Sequence, residues 1–367
     1  MRNNNVIGLI FANMHDDCLR ELTALRALGS IPLGGRYRLI DFPLSSMVNA
    51  GISKVGIVTK NKYQSLMDHL GSGKFWDLSR KNEGISFLPL LGDDSFYEGR
   101  IASLLGIEDY LRNSREEHIL MADCYMLGNI DYAPLLRQHI DSGADITIGY
   151  QTGDAPEGID SMLLDVAADG SVSDIRIGRE CVCRHGIGLY MARKESLLQL
   201  VEEAVSRHLG YFERDVLQRR LDSLRIYGYE VPEYTAAITS LSRYFDANMA
   251  LLRADIRRQL FTPSRPIYTK VRDCAPAIHG LHADVRDSLV ADGASIDGRV
   301  SNSIIFRNVK IGRDTVVENS IVMQGAIILP QSQLRCVISD KNVVIRERSV
   351  LQGVESYPVF IRKNTVV

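Results

Sequence analysis

The sequence predicts an α/β protein: a doubly wound, mixed sheet of the kind that carries ligands at strand ends, followed by a left-handed parallel β-helix. Three observations predict it. The first 150 residues alternate apolar runs with helix-patterned segments. The stretch VIGLIFANMHDDCLRELT, Val6 to Thr23, passes from a buried strand into a helix. From about residue 276, short aliphatic runs recur at nearly constant spacing.

The runs VIGLIF (6–11), KVGIVT (54–59), EHILMAD (117–123) and ADITIGY (144–150) have the apolar character of strands covered on both faces. Between them, FPLSSMVNAG (42–51), YQSLMDHLG (63–71), IASLLGIEDYLRNS (101–114) and YAPLLRQHIDSG (132–143) carry helical patterns. Gly51, Gly71 and Gly143 stand where helix-ending glycines are expected. Strand–helix–strand repetition predicts a mainly parallel sheet with its binding crevice at the carboxyl ends of the strands. SMLLDVAADGSVSDIRI (161–177) predicts a hairpin turning at Asp169-Gly170, and KESLLQLVEEAVSRH (194–208) an amphipathic helix. TPSRPIY (262–268), with two prolines, reads as part of a linker.

In the C-terminal region DSLV, NSII, NSIV and RCVI place Ser288, Ser303, Ser320 and Cys336 at intervals of 15, 17 and 16 residues. None of these segments can bury itself alone, so their regular repetition predicts a stacked solenoid. A β-sandwich would space its strands less regularly. The expected division is an α/β domain at 1–245, a linker at 246–275 and a β-helix at 276–367.

A net charge of −2 provides no basic field for nucleic acid or an anionic membrane. No apolar run reaches the ~18 residues of a membrane span, and the N-terminus has no signal-peptide pattern. The cysteines at 18, 124, 181, 183, 274 and 336 form no CxxC pair and no Cys/His cluster of zinc spacing. Cys181 and Cys183 read as ordinary strand positions. His279 and His282 read as coil-edge residues, not as metal ligands. A reducing cytoplasm is the expectation.

The segment IPLGGRYRLIDFPLSSMVNAGI (31–52) resembles the G-G-[KR]-[FY]-R-x-I-D-F-x-L-S-N-x-x-N-S-G-I segment of ADP-glucose pyrophosphorylases, the glucose-1-phosphate adenylyltransferases. The likeness covers essentially the whole chain and is weakest at 150–190. It implies a nucleotidyltransferase domain joined to a left-handed β-helix. The family's nucleotide loop, A-G-G-x-G-x-R-L followed by R-A-K-P, runs in frame here as ANMHDDCL and then RALG (26–29). Its three glycines fall on Asn13, Met14 and Asp16, its arginine on Cys18 and its lysine on Leu28.

Glycines let backbone N–H groups approach phosphate oxygens, and the two cations neutralise a polyphosphate. Side chains at 13, 14 and 16 obstruct that approach, and Cys18 and Leu28 supply no charge. A carboxylate about 4 Å from a phosphate charge costs roughly 4 kcal/mol at an effective dielectric near 20. Asp16-Asp17 is expected to be a solvated turn.

The resemblance implies a Mg²⁺ site built on two aspartates. LMADCY (120–125) offers Asp123 as a remnant of the first. In YTAAITSLSRYF (234–245) the second falls on Ala237, and the family's glycine on Thr239. The E-K-P that contacts glucose 1-phosphate is missing near SDIRIGRE (173–180). The family's W-Y-R-G-T-A-D-A corresponds to FYEGRIAS (96–103), with Glu98 for arginine and Arg100 for threonine.

Such a pattern is similar to a bacterial branch of the family whose members accompany a catalytic GlgC-type subunit. The resemblance thus implies a regulatory, non-catalytic subunit of a heterotetramer that makes ADP-glucose for glycogen. It implies no cofactor in this chain and Mg²⁺ only in the catalytic partner. Self-association in the partner's absence is a further expectation. Arg36, at the lysine of G-G-K-F-R, resembles the position that binds anionic sugar-phosphate activators, and Arg38 lies two residues away. Lys60 reads as a surface lysine. Three other readings compete: an active nucleotidyltransferase with a rebuilt loop, a sugar-phosphate or nucleotide sensing module, and a β-helix acyltransferase.

Overall fold

The computed structural model describes residues 5–80, 83–90, 99–179 and 182–367. Cys181 and Glu98, which figured in the sequence reading, lie outside the described residues.

A nine-stranded sheet forms the first part: β1 (Val6–Phe11), β2 (Lys54–Thr59), β3 (Gly84–Pro89), β4 (His118–Asp123), β5 (Ile146–Asp154), β6 (Ser161–Val166), β7 (Val172–Gly178), β8 (Val182–Arg193) and β9 (Ile226–Glu230). Its main path is β7-β6-β8-β4-β1-β2-β3, with β5 also on β8 and β9 on β5. β4, β1, β2 and β3 are parallel, whereas β8 runs antiparallel to β4, so the sheet is mixed. The chain leaves β1 for β2 on one side and returns through β4 on the other. Phe11 pairs with Asp123 in this register, so the loops that follow β1 and β4 open side by side at the carboxyl edge.

Helices Asp41–Asn49, Gln64–Leu70, Tyr132–Ser142 and Lys194–Ser206 form where the periodicity placed them. The segment 101–114 is two helices, Gly99–Gly106 and Glu108–Arg112. β6 and β7 pair as the expected hairpin, with Gly170 at φ 84 in its turn. The 246–275 linker needs correction. Helix Leu241–Ala250 runs across its start, and Ala254–Leu260 adds another helix within it. Leu251 and Leu260 are buried in the main core, and that burial makes the segment part of the packed body.

The C-terminal part has three five-stranded parallel sheets, whose strands follow one another in rotation along the chain. This is the triangular coil of a left-handed β-helix. Its corners are residues with positive φ: Asp287, Asn302, Asn319 and Cys336 at one, and Gly293, Asn308, Gly325 and Asn342 at another. Asn and Asp tolerate this left-handed conformation because their short side chains hydrogen-bond locally. The serines form a ladder: Ser288 Oγ accepts from Ser303 N, Ser303 Oγ from Ser320 N, and Ser320 Oγ from Val337 N, at 3.0–3.1 Å. The fourth rung is therefore Val337. Cys336 stacks on the Asn319 corner, and the 16-residue interval read from sequence is a coil of 17.

The β-helix interior and one face of the α/β sheet belong to one continuous core. The Gly-Gly of the signature segment lies at this seam. A Cβ on Gly34, whose φ is 58, would stand 2.8 Å from Leu251 Cδ1, and one on Gly35, whose φ is 87, would face Ala291 of the β-helix at 3.5 Å. Among the described residues no helix is long and apolar enough to cross a membrane.

Candidate functional site

The loop after β1 is braced by its own side chains. Asn13 Oδ1 accepts from Thr59 Oγ1 and from Lys60 N, while Asn13 Nδ2 donates to Asp16 Oδ2 at 2.6 Å. Asp16 Oδ1 accepts from Leu28 N at 2.9 Å, and Thr23 Oγ1 donates to the Asp16 carbonyl at 2.8 Å. Asn13 and Asp16 thus use their carboxylate and amide groups to tie two chain segments together. Met14 packs against one sheet-face core and Cys18 against the other. Leu28 is fully buried.

The expected solvated turn holds only for Asp17, which is exposed. Asp16 is largely enclosed and acts as a backbone acceptor. Its burial raises its pKa to about 6, against the pull of its Asn13 and Leu28 hydrogen bonds. His15 adopts φ 66 and sets its ring edge-on to Tyr125 at 4.7 Å.

Behind the loop, Asp123 ends β4 and is buried. Its Oδ2 accepts from Arg100 Nη2 at 2.8 Å, with both side chains sealed from solvent. The guanidinium carbon lies 4.6 Å from the ring centroids of both Phe11 and Tyr190. Arg100 Nε reaches Glu213 at 3.4 Å, and Glu213 also accepts from the Tyr190 hydroxyl at 3.0 Å. Burial works against the Arg100 charge, but Asp123, Tyr190 and Glu213 together raise its pKa. Burial likewise raises the pKa of Asp123, with Arg100 opposing it.

These residues line a cleft of about 730 Å³ at the carboxyl edge of the sheet. The metal implied by the family resemblance does not fit it. Asp123 is engaged by Arg100 through Oδ2, which leaves only Oδ1 without a partner, and Ala237, paired to Met126 in a short antiparallel ladder, has no oxygen side chain to offer. Thr239 is buried and donates to the Glu157 carbonyl. Among the described residues, no three His, Cys, Asp or Glu side chains are grouped to hold a metal ion. His282 pairs at the surface with Asp297 at 3.4 Å.

A second concavity lies at the seam with the β-helix. It is lined by six cations: Arg36, Arg38, Lys270, Arg272, Arg307 and Lys341. Arg36 is exposed on its rim. Arg38 is buried, with Nη1 donating to the Ser65 carbonyl and hydroxyl and its own amide donating to Asp41. Arg307 is buried, yet its Nε and Nη2 have no acceptor among the described residues. Lys341 falls to about 7, first through burial and then through repulsion from Arg38 and Arg26. Burial also lowers Arg38, to about 10.

The sequence reading found Arg36 and Arg38 but missed the other four. Arg307, Gln324 and Lys341 occupy one corner column of successive coils, as the Gly325 N to Arg307 O and Asn342 N to Gln324 O bonds show. Coil spacing was the available signal for that column. The two concavities are linked by a buried ion pair missed in the sequence. Arg26 Nη2 donates to both oxygens of Asp340 at 2.8 and 2.6 Å across 314 residues. Arg26 precedes the Leu28 amide that holds Asp16, and Asp340 accepts from the Lys341 amide at 2.7 Å.

The nucleotidyl transferase family profile matches residues 16–158, and a GlmU-like, C-terminal hexapeptide profile matches 275–356. Glycogen biosynthesis protein GlgD of Bacillus subtilis (strain 168) is 35% identical over 368 residues, covering 100% of this chain and 98% of its own. GlgD of Geobacillus stearothermophilus is 38% identical over 369 residues, covering 99% and 98%. A glucose-1-phosphate adenylyltransferase of Clostridium botulinum (strain Alaska E43 / Type E3) is 28% identical over 330 residues, covering 88% and 85%. With a nucleotidyltransferase fold, a β-helix and this full-length similarity, the chain belongs to the glucose-1-phosphate adenylyltransferase family, in its GlgD glycogen-biosynthesis branch.

Proposed function

We propose that this chain is a regulatory subunit with little or no activity alone, which modulates a catalytic GlgC-type partner in a heterotetramer making ADP-glucose from ATP and glucose 1-phosphate. One observation carries the loss of catalysis: the Asp16 carboxylate occupies the heart of the nucleotide loop, bonded to Asn13 and to the Leu28 amide. A polyphosphate needs bare amides and cations there. It would meet a carboxylate, and an amide already taken. This supports inactivity over the rebuilt-loop enzyme.

The regulatory part of the reading is supported by the six-cation crevice. Arg36, Arg38, Lys270, Arg272, Arg307 and Lys341 form a candidate site for an anionic effector such as a sugar phosphate. An anion there would draw on Lys341 and so act on Asp340, Arg26 and the loop behind Arg26. Allosteric control needs such differential contacts in two states of the complex.

The test is ADP-glucose synthesis with the catalytic subunit alone, this chain alone, and both together, over a range of sugar-phosphate concentrations. The expected result is no turnover by this chain and an altered rate or effector response for the pair. Equal rates with and without this chain at every effector level would remove the regulatory reading. The crevice also favours a second reading, an effector-sensing module that acts without such a complex. Gel filtration with and without the catalytic subunit separates the two.

A further inference from the structure

We propose that Arg100 is a built-in cation that replaces a divalent metal at Asp123, making the cleft metal-independent. The inference stands apart from any regulatory role, because it concerns the isolated chain.

A buried carboxylate at the end of a strand needs a positive partner, since desolvation otherwise disfavours its charge. Here that partner is covalently part of the chain, 2.8 Å away, and as sealed from solvent as the carboxylate itself. Three groups position it. The guanidinium carbon lies over the rings of Phe11 and Tyr190, 4.6 Å from each centroid, contacts that suit a weakly hydrated planar cation. Glu213 receives its Nε and is itself held by the Tyr190 hydroxyl. The backbone also makes room. β8 has a register shift between Gly186 and Leu189, and Gly188 there adopts φ 69. A Cβ at Gly188 would stand 2.5 Å from Asp123 Oδ2, so only glycine leaves the carboxylate its place.

The charges explain why two differences from the family pattern belong together. The family pattern places two carboxylates around a divalent ion. With Ala237 where the second of them would be, Asp123 keeps a single guanidinium as its cation, and Glu213 shares that guanidinium at 3.4 Å. Arg100 also comes from the first turn of helix Gly99–Gly106, so its position is fixed by the fold and not by the bound ligand.

Manganese(II) is the probe, followed by paramagnetic resonance and thermal melting of the full chain. Compared are the wild type, Ala237→Asp, and Arg100→Thr with Ala237→Asp. The wild type and Ala237→Asp should leave millimolar manganese free and melt at a metal-independent temperature. The double variant should bind manganese and gain several degrees on its addition. Manganese bound by the wild type or by Ala237→Asp, and lost on Asp123→Asn, would overturn the proposal. So would a folded double variant that ignores the metal. A further set guards against misfolding: Arg100→Met and Asp123→Asn should each lower the melting temperature more than the two combined. A combined variant no more stable than the worse single one would show that the two groups do not compensate each other.

Discussion

Arg100 and Arg307 are both buried arginines, but their surroundings are opposite. Arg100 sits against Asp123 and Glu213 and over the rings of Phe11 and Tyr190. Arg307 has Nε and Nη2 without an acceptor among the described residues, and Arg36 and Arg272 add repulsion that lowers its pKa beyond the effect of burial. The cleft at the sheet edge pairs its buried guanidinium with its own carboxylates, although Arg100 Nη1 and Asp123 Oδ1 have no partner among the described residues. The crevice at the seam has gathered cations of one sign: Arg38 and Lys270 donate to backbone and hydroxyl oxygens, whereas Arg307 keeps two nitrogens without an acceptor among the described residues. Unmatched buried charge is costly, so a fold that keeps it stores free energy that an anion can release. On the proposed reading, ligand responsiveness belongs at the seam, away from the cleft at the sheet edge.

The comparison can be broken most severely at the pair between the two sites. Arg26→Ala should cost about 3–5 kcal/mol in urea unfolding, because it leaves Asp340 buried and uncompensated. Adding Asp340→Ala should recover much of that loss. Two independent additive losses would mean that Arg26 and Asp340 do not act as a pair.

The contrast sharpens in the sign of a matched pair of substitutions. Arg100→Met should destabilise, whereas Arg307→Met should stabilise by about 1–2 kcal/mol in anion-free buffer, because it removes an unmatched charge at similar volume. In the wild type, pyrophosphate should raise the melting temperature. Arg307→Met should lose most of that increase.

Lys341 gives the third test. Its pKa in the folded chain, about 7, lies below that of an unfolded lysine, so folding expels its proton near neutrality. Stability from this group is therefore least below pH 7 and grows as pH rises from there toward the unfolded lysine range. An anion reverses the shift by favouring the charged amine. Pyrophosphate affinity should fall about tenfold between pH 6 and pH 8.5 by calorimetry, and Lys341→Met should flatten that profile.

Asp16 should show the smallest effect. Asp16→Ala should cost about 1 kcal/mol through the lost Leu28 and Asn13 hydrogen bonds. Its folded pKa, about 6, is raised above the unfolded value. The wild type's advantage should be complete below about pH 4 and shrink as pH rises through 6. An advantage that grows over that range would place Asp16 in a different environment.

Local pattern made much of this molecule legible. Apolar runs of strand length and helix-ending glycines gave the α/β alternation, and recurring aliphatic segments gave the coil. The residues at 13, 14, 16, 18 and 28 gave the replacement of the family's loop glycines and cations, because that motif depends on residue types at fixed short spacing. Where the sequence reading failed, distance along the chain was usually the cause. The coil length slipped by one residue at Cys336, because serine and cysteine look alike as small polar positions until the ladder shows that Val337 N is the group that donates to Ser320 Oγ. Prolines at 263 and 266 suggested an unpacked linker, but the helices before them carry Leu251 and Leu260 into the core.

Composition and spacing alone determined the fold class, the family likeness and the replacement of the family's loop glycines and cations, since each depends on chemistry within a few tens of residues. The tertiary structure decided which charges meet. Asp340 reaches Arg26 across 314 residues, Arg100 swings onto Asp123, and a β-helix corner column closes over Arg36 and Arg38. Electrostatic partnership is set by separation in space and by the water excluded around it. A linear sequence records neither.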